Sequence, residues 1–262
     1  MSGPIVVHAD THPYLADHAF LGTPVVPIAM VMEWFASATR SAWSPLVLHD
    51  VSVLRKIALT GFHQTGDRYS VRSRNTESGQ SLQLLSAEGV PHFRALLPPA
   101  ACRHRQVAWV VPPGLRPAKR APYDGRFLFH GPAFHAIRRV HGVSPVGAVG
   151  VVVGGQELGW PQSDWQTDPA AIDGGLQLAG LWAEEMLGGP TLPMSIGEFR
   201  LHQRGLLVGP VRAFVRGRPA GEYSVECDIG LVGVDGKPRL ELLGVQLFLV
   251  PDAAQRAQYG DG

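Results

Sequence analysis

Two stretches of this chain are apolar on nearly every side, and helices of that kind must be covered by other parts of the fold. The first is Pro27-Ile-Ala-Met-Val-Met-Glu-Trp-Phe-Ala-Ser-Ala-Thr39, with Glu33 as its only charge and Pro27 placed to begin it as the first helical residue. The second runs from about Pro169 to Leu187 and aligns Ile172, Leu176, Ala179, Ala183 and Leu187 on one stripe. Most of the remainder alternates with period two, as in Arg68–Arg74, Val211–Arg216 and Arg239–Val250. A strongly curved antiparallel sheet wrapped around each helix supplies the cover it needs. The pattern predicts two helix-in-sheet modules, an α+β architecture.

Between them, from Pro98 to Pro122, the periodicity fails. Prolines and basic residues crowd this stretch, which suits an extended connector. The expected division is residues 1–98 for the first module, 99–125 for a Pro/Arg-rich linker, 126–250 for the second module and 251–262 for a polar tail. Arg103, Arg105, Arg116, Lys119 and Arg120 in the linker are expected to be solvated, with an acidic partner as the alternative.

Charged residues are 17% of the chain and hydrophobic ones 45%, against a usual charged share of roughly 25%, so the core can be large. The 23 basic and 22 acidic residues nearly cancel, leaving no footprint for nucleic acid or an acidic membrane. Cys102 and Cys227 form no CxxC pair, which argues against a disulfide framework or a cysteine zinc site and for a reducing compartment. The longest apolar run, Val25 to Ala38, is interrupted by Glu33 and falls short of the ~20 residues a membrane helix needs. With no secretory signal visible at the N-terminus, a cytoplasmic protein is expected, as a domain cut from something longer. The 11 histidines contain no HExxH, and Gly147–Gly155 lacks GxGxxG, so neither a metal nor a nucleotide motif is present.

Four short constellations could carry chemistry. His18, Gly22 and Pro27 precede the first helix, whose start offers free N–H groups to a carbonyl oxygen bearing negative charge; an ordinary loop histidine is the alternative. Asp173 and Gln177, four apart, share a helix face, so the amide could hold the carboxyl. Burial among Ala, Ile, Gly and Leu would raise the Asp173 pKa and favour the neutral acid a proton donor needs. The alternative is an N-cap aspartate with the helix starting at Gly174. Gly174 and Gly175 weaken a helix by about 1 kcal/mol each, so a close approach is expected to require them. Phe129-His130-Gly131-Pro132-Ala-Phe134 and Leu192-Pro193-Met194 read as turns entering strands.

Taken together, HxxxGxxxxP at His18–Pro27, HGPxF at His130–Phe134, DxxxQ at Asp173–Gln177 and LP at Leu192–Pro193 resemble the ordered motifs of polyketide synthase dehydratase domains, from about His12 to Val250. The helix VPIAMVMEWFA is more similar to dehydratase-like domains of polyunsaturated fatty acid and enediyne synthases than to the usual modular type. The resemblance implies a double hotdog fold. It implies a dehydratase that acts on a β-hydroxyacyl thioester carried on the phosphopantetheine of an acyl carrier protein, with neighbouring synthase domains as partners, a homodimer as a further expectation, and no metal or cofactor of its own. In the implied mechanism His18 is the base, Asp173 the acid and Gly22 the oxyanion donor. Gln177 and His130 give support, and Pro27, Pro132, Pro193 and Met194 line the tunnel. Three positions depart from the family pattern: His130 replaces the usual tyrosine, Ile28 follows Pro27 in place of glycine, and Met194-Ser195-Ile196 replaces aromatic residues. A double-bond isomerase or cyclase, and a non-catalytic module on the same fold, are the competing readings.

Overall fold

A computed structural model describes residues 4–39, 45–99, 107–125 and 127–250. In chain order its first half contains β1 (Ile5–Val7), β2 (Ala19–Phe20), β3 (Thr23–Pro24), helix α1 (Ile28–Thr39), β4 (Leu46–Val53), β5 (Asp67–Thr76), β6 (Gly79–Ser86) and β7 (Pro91–Leu97). The second half contains β8 (Ile137–Ser144), β9 (Gly147–Val152), helix α2 (Pro169–Leu187), β10 (Thr191–Leu201), β11 (Val211–Gly221), β12 (Ser224–Val232) and β13 (Pro238–Leu249). All but β2 and β3 join one 11-stranded sheet in the order β1-β5-β6-β7-β4-β10-β13-β12-β11-β9-β8. The two halves meet where β4 pairs antiparallel with β10, with Leu48 opposite Phe199 and Val51 opposite Ile196. This is the double hotdog that the apolar helices require.

The helices are buried as the pattern demands. In α1 every residue from Ile28 to Ala36 is buried, and in α2 every residue from Pro169 to Ala183. Glu33 keeps its place inside because its carboxylate accepts from Thr167 N (2.6 Å), Thr167 Oγ1 (2.8 Å), Gln166 N (3.0 Å) and Ser37 Oγ (2.9 Å). A buried carboxylate satisfied this way is tolerated, and here it straps α1 to the segment leading into α2. Pro27 is the N-cap of α1, one position earlier than expected, since its carbonyl accepts from Met30 N and Val31 N. Asp168 caps α2 by accepting from Ala171 N at 3.0 Å, and left-handed Gly188 ends it. Asp173 is therefore not an N-cap; it lies inside the helix. The two glycines beside it admit the sheet: a Cβ on Gly174 would stand 2.7 Å from Ala136 Cβ, and one on Gly175 3.1 Å from Ile229.

The described part of the linker is docked against the fold. Trp109 lies over Gly230 and donates its indole N–H to Glu241 at 2.7 Å. Arg116 forms a bridge with Val143, while Lys119 and Arg120 pair with Glu185 and Glu184 of α2 at 3.8 and 3.9 Å. Both cations remain exposed, so these are solvated surface pairs. Arg103, Arg105, Cys102 and residues 251–262 lie outside the described residues. Cys227 is buried and unpaired. Among the described residues no helix is long and apolar enough to cross a membrane.

Candidate active site

His18 follows the single-turn helix Pro13–Asp17 and is 7% exposed. Its Nδ1 lies 2.8 Å from the carbonyl oxygen of Val25. A carbonyl only accepts, so Nδ1 carries the hydrogen and Nε2 keeps a bare lone pair. The sequence makes this contact through a hairpin. Strands β2 and β3 pair Ala19 with Pro24 and Phe20 with Thr23, and the two-residue turn has positive φ at Leu21 (53°) and Gly22 (75°), as tight hairpins require. That fold-back sets Val25 beside His18.

Asp173 projects from the second turn of α2 and is 5% exposed. Gln177 Nε2 donates to its Oδ2 at 2.7 Å. The same amide nitrogen donates to Phe134 O at 2.9 Å, and the Gln177 carbonyl accepts from Tyr123 Oη at 2.6 Å. Tyr123 in turn accepts from Ile137 N at 2.8 Å and stacks on His135, so the amide orientation is determined. Sequence reasoning missed Tyr123, which lies in the linker and carries no motif.

His130 Nε2 lies 3.3 Å from Asp173 Oδ2. Phe129 stacks on the His130 ring, 4.3 Å between centroids, and the His18 ring is 5.1 Å away. One donor atom from each of His18, His130 and Asp173 lies within 4.8 Å of the others. Burial pushes the His18 pKa down to about 4, partly opposed by the charge of Asp173. Burial works to raise the Asp173 pKa, but the charge and hydrogen bond of His130, the charge of His18 and the Gln177 amide together hold it below the usual carboxylate value. The expected neutral acid is thus corrected: its partners outweigh its burial.

The HGP turn is held by Asp17, the residue before His18. Gly131 N donates to Asp17 O at 2.7 Å, and Ala133 N donates to the Asp17 carboxylate, also at 2.7 Å. A Cβ on Gly131 would lie 2.6 Å from Asp17 Cγ, so glycine is needed for space. These bonds tie the loop bearing His18 to the turn bearing His130.

All three side chains open onto a cavity of about 410 Å³ between the halves, walled by Phe127, Leu128, Leu176, Pro193 and Met194. Pro27 and Ile28 line it too, and with Ile28 begin the leading amides of α1, which have no acceptor within the helix. Two expected site residues stand elsewhere. Gly22 occupies the exposed hairpin tip and is not in the cavity wall; its left-handed φ accounts for the glycine. Pro132 is exposed and starts the short turn Pro132–Phe134, so its ring supports the turn and does not line the tunnel. Leu192-Pro193-Met194 lies within β10, not before it, and a register shift between Pro193 and Ser195 makes Met194 a bulge residue. Leu54, Arg55 and Lys56 are exposed residues of the same wall and mark its mouth.

Two curved half-sheets, each around one apolar helix, with an imidazole and a carboxyl facing one apolar cavity between them, define a double hotdog protein. Comparison with known sequences narrows this. The family described as polyketide synthase dehydratase N-terminal domain matches residues 111–257, and the polyketide synthase dehydratase domain family matches residues 5–84. The chain belongs to the polyketide synthase dehydratase family. It is 25% identical over 244 residues to a subunit of the polyunsaturated fatty acid synthase of Thraustochytrium sp., covering 83% of this chain and 8% of that protein. The chain therefore spans a small fraction of that relative's length. Among solved structures, the dehydratase domain of a mycocerosic acid synthase-like polyketide synthase superposes with a TM-score of 0.76 at 20% identity, covering 95% of this chain and 90% of the other. The dehydratase domain from the CurF module of curacin polyketide synthase gives 0.77 at 18% identity, covering 96% of each chain.

Proposed function

We propose that this dehydratase domain removes water from a β-hydroxyacyl thioester, presented on the phosphopantetheine arm of an acyl carrier protein, to give the α,β-unsaturated thioester. The observation that carries the reading is the separation of under 4.8 Å among His18, His130 and Asp173 inside one apolar cavity. In this reading His18 Nε2, bare because Nδ1 binds Val25 O, takes the α-proton as general base. Its depressed pKa keeps it unprotonated at neutral pH. The thioester carbonyl lies at the start of α1, where the Ile28 amide meets the negative charge that develops on oxygen; Gly22 is not proposed for this role. Asp173, oriented by Gln177, is the acid of this reading: it gives a proton to the β-hydroxyl, which leaves as water, and takes one back from His18. The apolar walls accept the acyl chain, and the reaction needs no metal or nucleotide. The parent assembly is a polyketide or polyunsaturated fatty acid synthase whose carrier and neighbouring domains are the partners, and the two modules are residues 1–98 and 126–250.

The test is incubation with carrier-bound 3-hydroxyacyl and 2-enoyl chains, followed by mass measurement of the products. Loss of 18 mass units, the mass of water, from the hydroxyacyl carrier supports the reading. Movement of the double bond in the enoyl substrate with no water loss refutes it in favour of an isomerase, and no change in either substrate refutes catalysis.

A further inference from the structure

His130 stands where the family usually has tyrosine, and its surroundings give it more to do than fill space. Its side chain is 8% exposed. Nε2 is 3.3 Å from Asp173 Oδ2, while Nδ1 is buried with no hydrogen-bond partner among the described residues. The ionisable side chains facing it are Asp173 from α2 and His18 from the other half, the latter ring to ring at 5.1 Å. Phe129 stacks on one face, Phe134 lies 6.2 Å away, and the ring lines the cavity. Gln177 and His130 both reach the same oxygen of Asp173, Oδ2, so neither occupies Oδ1, and the residue lines the cavity.

We propose that His130 and Asp173 act as a single acid, sharing one dissociable proton that is delivered to the departing β-hydroxyl and replenished from His18. The inference rests on the dehydratase reading. With the pair loaded, the proton lies on the imidazole, balanced by the Asp173 carboxylate, or crosses the Nε2–Oδ2 contact to the carboxyl. In the reaction His18 Nε2 removes the α-proton, the electron pair forms the α,β double bond, and the β-carbon–oxygen bond breaks. The hydroxyl takes the pair's proton and departs as water. His18 is now an imidazolium and the pair has lost one proton, leaving a neutral His130 ring beside the Asp173 carboxylate. Transfer of the His18 proton to the neighbouring pair restores both groups, and nothing external is consumed. A tyrosine, with an unperturbed pKa near 10, keeps its one proton and cannot take up a second as an imidazole ring can.

The experiment compares wild type, His130→Gln, Asp173→Asn and the double variant in two assays. Glutamine keeps a donor to Asp173 but carries no exchangeable acidic proton. The first assay is elimination from a carrier-bound 3-hydroxyacyl chain across pH. The second is exchange of the α-hydrogens of a saturated acyl thioester in deuterated water, which uses the base and not the acid. His130→Gln is expected to lose about 10²–10⁴-fold in kcat, the usual range for a general acid, with KM little changed and α-exchange largely kept. The double variant should be no worse than the poorer single one, as for residues acting as a unit. Near wild-type elimination by His130→Gln, or additive losses in the double variant, overturns the shared-proton pair. Loss of both assays in His130→Gln assigns it a structural role and also overturns it. A wild type that exchanges α-hydrogens yet eliminates no water overturns the dehydratase reading, and the pair with it.

Discussion

Asp17 places its main-chain oxygen 2.7 Å from Gly131 N and its carboxylate 2.7 Å from Ala133 N. One residue thus fixes the His18 loop of the first half to the His130 turn of the second. The spacing of the candidate acid and base depends on this join, which both motifs share and neither reveals. Gly131→Ala is expected to force the join apart, because the new Cβ would lie 2.6 Å from Asp17 Cγ and 2.9 Å from its Cβ. Overpacking of this kind costs about 1–3 kcal/mol. Thermal melting should show the loss, and turnover should fall further than stability alone explains. An unchanged melt with full activity would show that the turn relaxes freely.

His18→Ala and Asp173→Asn should each abolish water loss from the hydroxyacyl carrier while leaving circular dichroism unchanged. Removing the base or the acid costs ~10²-fold or more. Near wild-type turnover in either folded variant would remove that residue from the reaction.

Gln177→Ala and Tyr123→Phe act at one and two bonds' remove. Gln177 holds Asp173 through the 2.7 Å contact, and Tyr123 holds Gln177 through its 2.6 Å bond. Both variants should lower kcat by roughly 10-fold, about 1.4 kcal/mol, with KM nearly constant. Inactivation by Gln177→Ala as complete as by Asp173→Asn would give the amide a direct role.

The pH dependence follows from His18. Its pKa in the fold is about 4 because burial disfavours the charged ring, whereas in the unfolded chain it is about 6.5. Between these values the unfolded state binds more protons, so stability falls as pH drops through that window and is fully present above it. Melting temperature should be lower at pH 5 than at pH 7.5, and His18→Gln should reduce that difference. The acid limb of kcat/KM should lie below the ordinary histidine range, since the free base is the active form. An acid limb at about 6.5 would show that the ring is more solvated than its surroundings indicate.

Arg55 and Lys56 stand exposed in the cavity wall, where the arm of a carrier enters in the proposed reaction. Reversing both charges to glutamate should raise KM for carrier-bound substrates and leave it unchanged for a short pantetheine thioester. Equal effects on both substrates would place the two cations at the acyl chain and not at the carrier.

Period-two alternation and two all-round apolar helices were enough to predict two helix-in-sheet modules, because burial writes itself locally into residue spacing. The DxxxQ spacing likewise placed Gln177 on Asp173, since one helical turn brings residues four apart together. What the tertiary structure decided lies in contacts between distant segments. Tyr123, read as part of a loose linker, is the partner of Gln177, and Glu33, read as an interruption, is the strap between halves. Gly22 serves a hairpin turn and leaves the start of α1 to face the cavity. The ionisation of Asp173 depended most on the fold: its apolar neighbours in sequence argued for a neutral acid, but a carboxyl answers to the charges around it in space. His130 and His18, brought in from other loops, together with Gln177 outweigh the burial.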